Sequence, residues 1–174
     1  MSHPSPSQLR AQAQLIIDAC RAGGLKLVTA ESLTGGLIAA TLTGIPGASN
    51  VVERAFVTYS YASKSQMLGV PAELVTRCEA VSEEVARAMA EGALARVHPH
   101  AELAVAVTGV AGPGSASPIR PAGLVHLAVA RAGQPTRHQR CEFGDIGRDE
   151  VRACTVGVAF ELVQALILEP SASA

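Results

Sequence analysis

Short apolar runs alternate with helical patterns along this chain, and that alternation limits the possible folds more than any other feature. An apolar run at 25–30 leads into a polar, glycine-containing segment at 31–36 and then into a helix-prone segment at 37–42. Strand, polar turn and helix in this order form the unit from which α/β domains are built. Further apolar or β-branched runs at 51–60 and 101–108 predict two more strands.

The first helix is marked by the spacing of its apolar residues. Leu9, Ala13, Ile16 and Cys20 recur at spacings of four, three and four, which places them on one helical face. Gly23–Gly24 then supplies the residues that most often end a helix. The sequence therefore predicts an amphipathic helix before the first strand.

The second half of the chain adds a helix, a hairpin and a last helix. Ser82 is a suitable cap for a helix that runs to about residue 97. Segments 123–131 and 137–143 are predicted strands, close enough in sequence to be antiparallel, and 148–168 is the final helix. The predicted fold is a three-layer α/β/α sandwich with a mostly parallel five-stranded sheet and an antiparallel hairpin at one edge.

Length and composition indicate one domain. A chain of 174 residues has the size of a single ordinary domain and can bury a core of its own. We expect that domain to occupy residues 8–168, between flexible tails at 1–7 and 169–174.

Charge, aromatic content and cysteine usage narrow the functional class. The net charge is −1, there is no Trp, and there are only two Tyr and three Phe, which argues against a nucleic-acid partner. The start of the chain lacks a signal-peptide pattern, and no apolar run reaches the ~18 residues of a membrane span. The four cysteines form no C-x-x-C pair, so we do not expect a zinc ribbon. Their scattered positions fit a protein from a reducing compartment. These features predict a cytoplasmic protein without a membrane partner.

Three loops combine glycine with a hydroxyl group, and we expect them to converge at the edge of the sheet where the strands end. They are Glu31–Gly36, Gly47–Ser49 and Thr108–Gly114. Ligands of open α/β sheets bind at the carboxyl ends of the strands, and glycine lets a backbone approach a ligand closely. For any one of these loops taken alone, a tight turn between a strand and a helix is the favoured interpretation, because a single glycine loop is a weak signal.

Lys64 is a candidate catalytic group because it is one of only two lysines and follows a hydroxyl-rich segment at 59–63. Lysine can lose its proton when desolvated, and a Ser–Lys pair can activate a hydroxyl nucleophile. The alternative is a solvated lysine on a short helix. The five histidines have no spacing that favours a metal site, so they are interpreted as structural or surface groups. A Ser-His-Asp triad is therefore not expected.

Six motifs in order resemble those of the CinA (competence/damage-inducible) C-terminal domain family, over about residues 8–168. They are Thr29–Gly36, Pro46–Ser49, Val57–Ser60 with Lys64, Leu68–Val70, Ala80–Ala86 and Thr108–Gly114. The resemblance implies hydrolysis of the nicotinamide amide of nicotinamide mononucleotide (NMN), which yields nicotinate mononucleotide and ammonia. It also implies the stand-alone form of the family, a homo-oligomer, and neither a metal nor an organic cofactor.

The same resemblance assigns roles to individual residues. It implies Ser49 as the nucleophile and Lys64 as its activating base, with Tyr59 and Thr108 nearby and Arg148 as a further site residue. Amides of the glycine loops would stabilise an oxyanion, and these loops or Arg148 would hold the phosphate. The residues expected to bind substrate are Glu31, Ser32, Thr34, Gly35, Gly36, Gly47, Ala48, Gly109, Gly112 and Arg148.

The chain departs from the usual family residues at several positions. These are Leu33 (usually Cys), Ala48 (Ser), Glu79 (Gly), Ser115–Ala116 (a glycine pair), Arg120 (Lys) and one extra residue between Gly144 and Arg148. The alternative function is a nucleotide-binding or regulatory domain, linked to competence or DNA damage, that keeps the pocket and turns over little. Retention of both Ser49 and Lys64 favours the enzyme.

Overall fold

A five-stranded sheet lies between two layers of helices in the computed structural model, which describes residues 3–169. The strands are β1 (Leu27–Glu31), β2 (Val52–Val57), β3 (Leu103–Gly109), β4 (Leu124–Arg131) and β5 (Arg137–Glu142). The helices are α1 (Pro6–Gly23), α2 (Leu37–Thr43), α3 (Tyr61–Leu68), α4 (Ala72–Arg77), α5 (Glu83–Val97) and α6 (Arg148–Leu168). A single 3₁₀ turn, Ala48–Asn50, lies between α2 and β2.

The sheet has the predicted mixed topology, with strand order β2-β1-β3-β4-β5. β1 pairs in parallel with β2 on one side and with β3 on the other. β4 is antiparallel to both β3 and β5, so the hairpin forms one edge of the sheet. The carboxyl ends of β1, β2 and β3 therefore meet at one edge, where the loops that follow them can converge.

The two faces of the sheet differ in side-chain size, as β3 shows. Leu103, Val105 and Val107 belong to the core under α1, α2 and α6, whereas Ala104 and Ala106 face the core under α5. Period-two alternation explains the separation, because successive side chains of a strand point to opposite faces. The alanine face allows α5 to lie close to the sheet.

Most observed boundaries lie within two residues of the predicted ones, but β2 ends at Val57, three residues before the predicted end at 60, because Ser60 caps the next helix. The start of the chain also differs. Ser5 caps α1 with a reciprocal box, in which Ser5 N donates to Gln8 Oε1 (2.8 Å) and Gln8 N to Ser5 Oγ (3.3 Å). The helix consequently begins at Pro6, two residues before the predicted domain boundary. Residues 1–2 and 170–174 of the predicted tails lie outside the described residues.

Helix α6 is long and apolar enough to span a membrane by length and composition alone. In the structure it packs against α1, β3 and β4, and Val156, Phe160 and Val163 lie in the core. This is the arrangement of the core helix of a soluble domain.

Two helical glycines make the close packing testable. A Cβ at Gly92 in α5 would overlap the Leu68 carbonyl oxygen of α3, whereas a Cβ at Gly157 in α6 would meet Pro4 Cγ at 3.4 Å, an ordinary contact. We expect Gly157→Ala to raise the free energy of unfolding by roughly 0.5–1 kcal/mol through helix propensity. Gly92→Ala should lower it by roughly 1–3 kcal/mol through overpacking. Urea unfolding measures both, and equal gains in the two variants would contradict the packing of α5 on α3.

Candidate active site

A cleft of about 350 Å³ opens where β1, β2 and β3 end. This volume lies at the lower end of the range for small-molecule sites, and the position is where open α/β sheets bind ligands. Its walls come from the segments that follow the three strands, from the turn before α5 and from the start of α6. The lining residues are Ser32, Leu33, Tyr59, Tyr61, Lys64, residues 79–81, residues 108–116 and Arg148.

Lys64 is fully buried although it carries an amine, and it faces the cleft from α3. Ser60 caps α3 by accepting a hydrogen bond from Ser63 N (3.1 Å), which starts the helix so that Lys64 lies on its inner side. Lys64 Nζ donates to Ser32 Oγ (3.0 Å) and to the Thr58 carbonyl (2.7 Å). Burial lowers the pKa of Lys64 to about 8, because desolvation disfavours the ammonium form.

Ser32 is held at the cleft by the loop that follows β1. Its backbone N–H donates to the Val107 carbonyl (3.1 Å), which ties the loop to the end of β3. Ser32 is 8% exposed and lines the cleft. Ser32 therefore presents its hydroxyl to the cleft, and its hydrogen-bond partner is the Lys64 amine, whose pKa is lowered.

The neighbouring Glu31 is the group that shapes this loop. Its buried carboxylate accepts bonds from Thr34 Oγ1 (2.8 Å) and from the amides of Gly36 (3.0 Å), Ile38 (3.0 Å) and Ala39 (2.9 Å). The carboxylate thus occupies the amino terminus of α2, where a bound anion would otherwise be favoured.

Four residues that were predicted to bind substrate do not line the cleft. Glu31, Thr34, Gly35 and Gly36 are not among the residues that line the cleft. They build the turn that positions Ser32, because the amides that could have met a ligand are taken by Glu31.

Arg148 and Tyr59 join distant parts of the chain at the mouth of the cleft. Arg148, the first residue of α6, donates from Nη1 to the Gly112 carbonyl (2.8 Å) and from Nη2 to Tyr59 Oη (2.7 Å). A guanidinium has five N–H donors, so these two contacts leave donors for a ligand. Both residues line the cleft.

Thr108 and the glycines after it also line the cleft. Thr108 is 1% exposed, and its hydroxyl donates to the Ala80 carbonyl (2.5 Å). A Cβ at Gly109 would lie 2.6 Å from the Leu124 carbonyl oxygen, so only glycine permits this approach of β3 to β4. Gly112 has φ 84°, a conformation that favours glycine. Thr108, Gly109 and Gly112 all line the cleft.

Comparison with known proteins decides the family. The sequence model of the CinA C-terminal domain matches residues 9–167. This chain belongs to the CinA C-terminal domain family. The competence/damage inducible protein CihA from Agrobacterium tumefaciens is 48% identical, with a TM-score of 0.88 over 95% of this chain and 99% of that one. A CinA superfamily protein of Escherichia coli is 31% identical, with a TM-score of 0.84 over 97% and 95% of the two chains.

Longer relatives carry the same domain. A CinA-like protein of Akkermansia muciniphila is 55% identical over 113 residues, which is 65% of this chain and 27% of that protein. A CinA-like protein of Anaeromyxobacter sp. (strain K) is 43% identical over 151 residues, 87% of this chain and 36% of that protein. The chain thus spans about a third or less of the length of these relatives.

The CinA resemblance implied a Ser49–Lys64 pair, and the structure does not form it. Ser49 is exposed in the 3₁₀ turn before β2, whereas Lys64 follows the other end of that strand. Six residues of β2 separate the two ends by about 20 Å. Gly47, which lies beside the Arg21 guanidinium, and Ala48, which is buried in the core, share that remote end. Ser32 takes the place next to Lys64 instead, because it directly follows β1.

Two of the histidines, His126 and His138, form a pair outside the cleft. His126 Nδ1 lies 2.9 Å from His138 Nε2, and His138 Nδ1 lies 3.3 Å from Glu83 Oε2. Burial, reinforced by His138 and Arg140, lowers the pKa of His126 to about 4. Within residues 3–169, no three His, Cys, Asp or Glu side chains are grouped so that they could hold a metal ion.

The Glu31 carboxylate should be needed for the loop rather than for binding. Glu31→Gln replaces one acceptor oxygen by an NH₂ group that faces backbone N–H donors, so we expect the free energy of unfolding to fall by about 3 kcal/mol. Glu91→Gln, an exposed position on α5, is the matched control and should change it by less than about 0.5 kcal/mol. Urea unfolding distinguishes them, and a small effect of Glu31→Gln would contradict the cap.

Proposed function

We propose that this CinA-family protein hydrolyses the primary amide of NMN to nicotinate mononucleotide and ammonia, with Ser32 as nucleophile and Lys64 as base. One observation carries the proposal: a buried lysine Nζ lies 3.0 Å from a serine hydroxyl on the cleft, and its pKa is lowered to about 8. The family resemblance supplies the substrate, and the geometry supplies the pair that would act on it.

Neutral Lys64 can start the reaction. Its lone pair takes the Ser32 proton as Oγ attacks the amide carbon, and the carbonyl oxygen becomes an oxyanion. Lys64 then returns the proton to the amide nitrogen, the C–N bond breaks, and ammonia leaves an ester on Ser32. The Thr58 carbonyl holds Nζ throughout by accepting one of its hydrogens at 2.7 Å.

Hydrolysis of the ester repeats the proton transfers with water. Lys64 takes a proton from water, hydroxide adds to the ester carbon, and Lys64 gives the proton to Ser32 Oγ as the C–Oγ bond breaks. The product leaves as the carboxylic acid, which loses its proton to solvent and becomes the carboxylate. Donors for the oxyanion are needed near the reacting carbon. The loop at 109–114 lines the cleft and offers backbone amides, whereas Gly47 and Ala48 lie too far away to act in this way.

Arg148 is the group that we assign to the phosphate of the substrate. It is the guanidinium among the cleft residues, and it is fixed by Gly112 and Tyr59 with donors to spare. Arg–phosphate contacts are charge-assisted and geometrically specific. The aromatic ring of Tyr59 or Tyr61 would flank the nucleotide at the mouth.

A cytoplasmic location and a homo-oligomeric state belong to the same proposal. Four free thiols suit a reducing compartment. Val57, Tyr59, Tyr61 and Met67 are exposed apolar side chains near one edge of the sheet, and a second copy of the chain would cover them. Small pyridine nucleotides are the proposed partners, rather than nucleic acid or membrane.

Mutation of the two candidate serines tests the mechanism. We expect Ser32→Ala and Lys64→Met each to lower kcat for NMN by about 10²–10⁴-fold, and the double variant to be little worse, because the two residues act as a unit. Ser49→Ala is the matched control and should retain nearly full activity. Ammonia release is the assay. An active Ser32→Ala enzyme combined with an inactive Ser49→Ala enzyme would reverse the assignment.

The pH profile of the same reaction reports on Lys64. The base must be neutral, and the lowered pKa means that the neutral fraction grows as the pH rises through about 8. Activity of the wild type should rise over that window. NMN that binds to the wild type without ammonia release would instead support the regulatory alternative.

The phosphate contact has its own prediction. Wild-type kcat/KM should be about ten- to hundred-fold higher for NMN than for its phosphate-free nucleoside, the size of one charge-assisted contact. Arg148→Gln should remove most of that difference by lowering kcat/KM for NMN alone. Arg140→Gln, on the exposed face of β5, should leave the ratio unchanged. A ratio near one in the wild type would exclude Arg148 as a phosphate ligand.

A further inference from the structure

The hydroxyl of Thr108 has an unusual restriction. It donates its one hydrogen to the Ala80 carbonyl at 2.5 Å while Thr108 lines the cleft. A hydroxyl has one donor hydrogen and two acceptor lone pairs. With the hydrogen committed to Ala80, the capacity that Thr108 Oγ1 retains for a ligand is that of an acceptor.

The Ala80 carbonyl is held in place by a strained turn. Glu79 and Ala80 have φ values of 47° and 61°, a left-handed backbone conformation that residues other than glycine rarely adopt. Such a conformation persists where the surrounding structure holds it, and it is frequent at functional sites. The turn follows α4 and forms part of the cleft wall.

Arg120, in the loop before β4, holds the turn at Glu79–Ala80 in this conformation. Its guanidinium is nearly buried, and Nη2 donates to the Cys78 carbonyl (2.6 Å) and Nε to the Val81 carbonyl (3.4 Å). Its Nη1 lies 2.9 Å from Glu79 Oε2. Arg120 thus binds the turn on both sides of Ala80 and leaves the Ala80 carbonyl to Thr108.

We infer that Thr108 selects a primary carboxamide over a carboxylate, and that Arg120 is the residue that positions Thr108 for this task. The inference rests on the proposed function and adds the basis of its substrate selectivity. An acceptor oxygen attracts the NH₂ group of an amide, whereas it repels the oxygens of a carboxylate, which can only accept. A protonated Lys64 in the same cleft would attract the carboxylate product, so Thr108 opposes product retention.

Binding of the substrate and product nucleotides tests this directly. We would measure the Kd of NMN and of nicotinate mononucleotide by calorimetry in the Ser32→Ala background, where turnover does not interfere. Thr108→Val, which removes the hydroxyl at constant shape, should shift the ratio of the two Kd values by about tenfold toward the carboxylate, the size of one hydrogen bond. Thr108→Ser keeps the hydroxyl and should hold the ratio within about twofold.

The Arg120 variants separate positioning from stability. Arg120→Met should move the Kd ratio in the same direction as Thr108→Val, and Arg120→Lys should restore part of it. Urea unfolding is recorded for each variant. A lower stability of Arg120→Met with an unchanged ratio would show that Arg120 serves the fold alone.

Further outcomes decide the Thr108 part. If both Kd values change equally in Thr108→Val, Thr108 is a structural residue and the inference fails. Should that variant not fold, Thr108→Cys, a much weaker hydrogen-bonding group, takes its place in the comparison. The protein with Ser32 unchanged separates the two proposals. If it binds both nucleotides with the expected preference but releases no ammonia from NMN, the proposed reaction is refuted and the selectivity of Thr108 remains supported.

Discussion

The cleft edge of this structure depends on one buried carboxylate. Glu31 ends β1 and accepts hydrogen bonds from the amides of Gly36, Ile38 and Ala39, which closes the β1–α2 turn around it. A buried charge is tolerated only when it is fully hydrogen-bonded, so the chain has little freedom at this turn. Ser32 is the next residue, and its position on the cleft follows from the turn.

Lys64, the second ionisable group buried at this edge, has a different set of hydrogen-bond partners from Glu31, and this difference affects its chemistry. Glu31 accepts hydrogen bonds from a hydroxyl and from three backbone amides, whereas the hydrogen-bond partners of Lys64 are two neutral oxygens, Ser32 Oγ and the Thr58 carbonyl. Desolvation without a compensating anion lowers the pKa of the amine to about 8. The arrangement thus gives up part of the stability of the ammonium and gains a base that is available near neutral pH.

The fold could be predicted from the sequence to a greater extent than the site. Periodicity and glycine positions located the five strands, the capping serine of α5 and the limits of α6, because each depends on local residue types. The partner of Lys64 depends on which end of a strand each loop occupies. Ser49 precedes β2 and Ser32 follows β1, and a parallel pair places these two residues at opposite edges of the sheet. A polar residue directly after a buried strand was the available signal for Ser32.

The departures from the usual family residues can now be placed, and two of them contact each other. Glu79 replaces a glycine at a position with φ 47°, which explains why glycine is usual there, and its carboxylate meets Arg120, which replaces a lysine. The strain of a left-handed Glu79 is thereby offset by an ion pair and by bonds that only a guanidinium can make at once. The segment near the extra residue contributes Asp145, whose Oδ2 accepts from Gly114 N (3.4 Å). Both changes lie at the walls of the cleft, and both leave Ser32 and Lys64 unchanged.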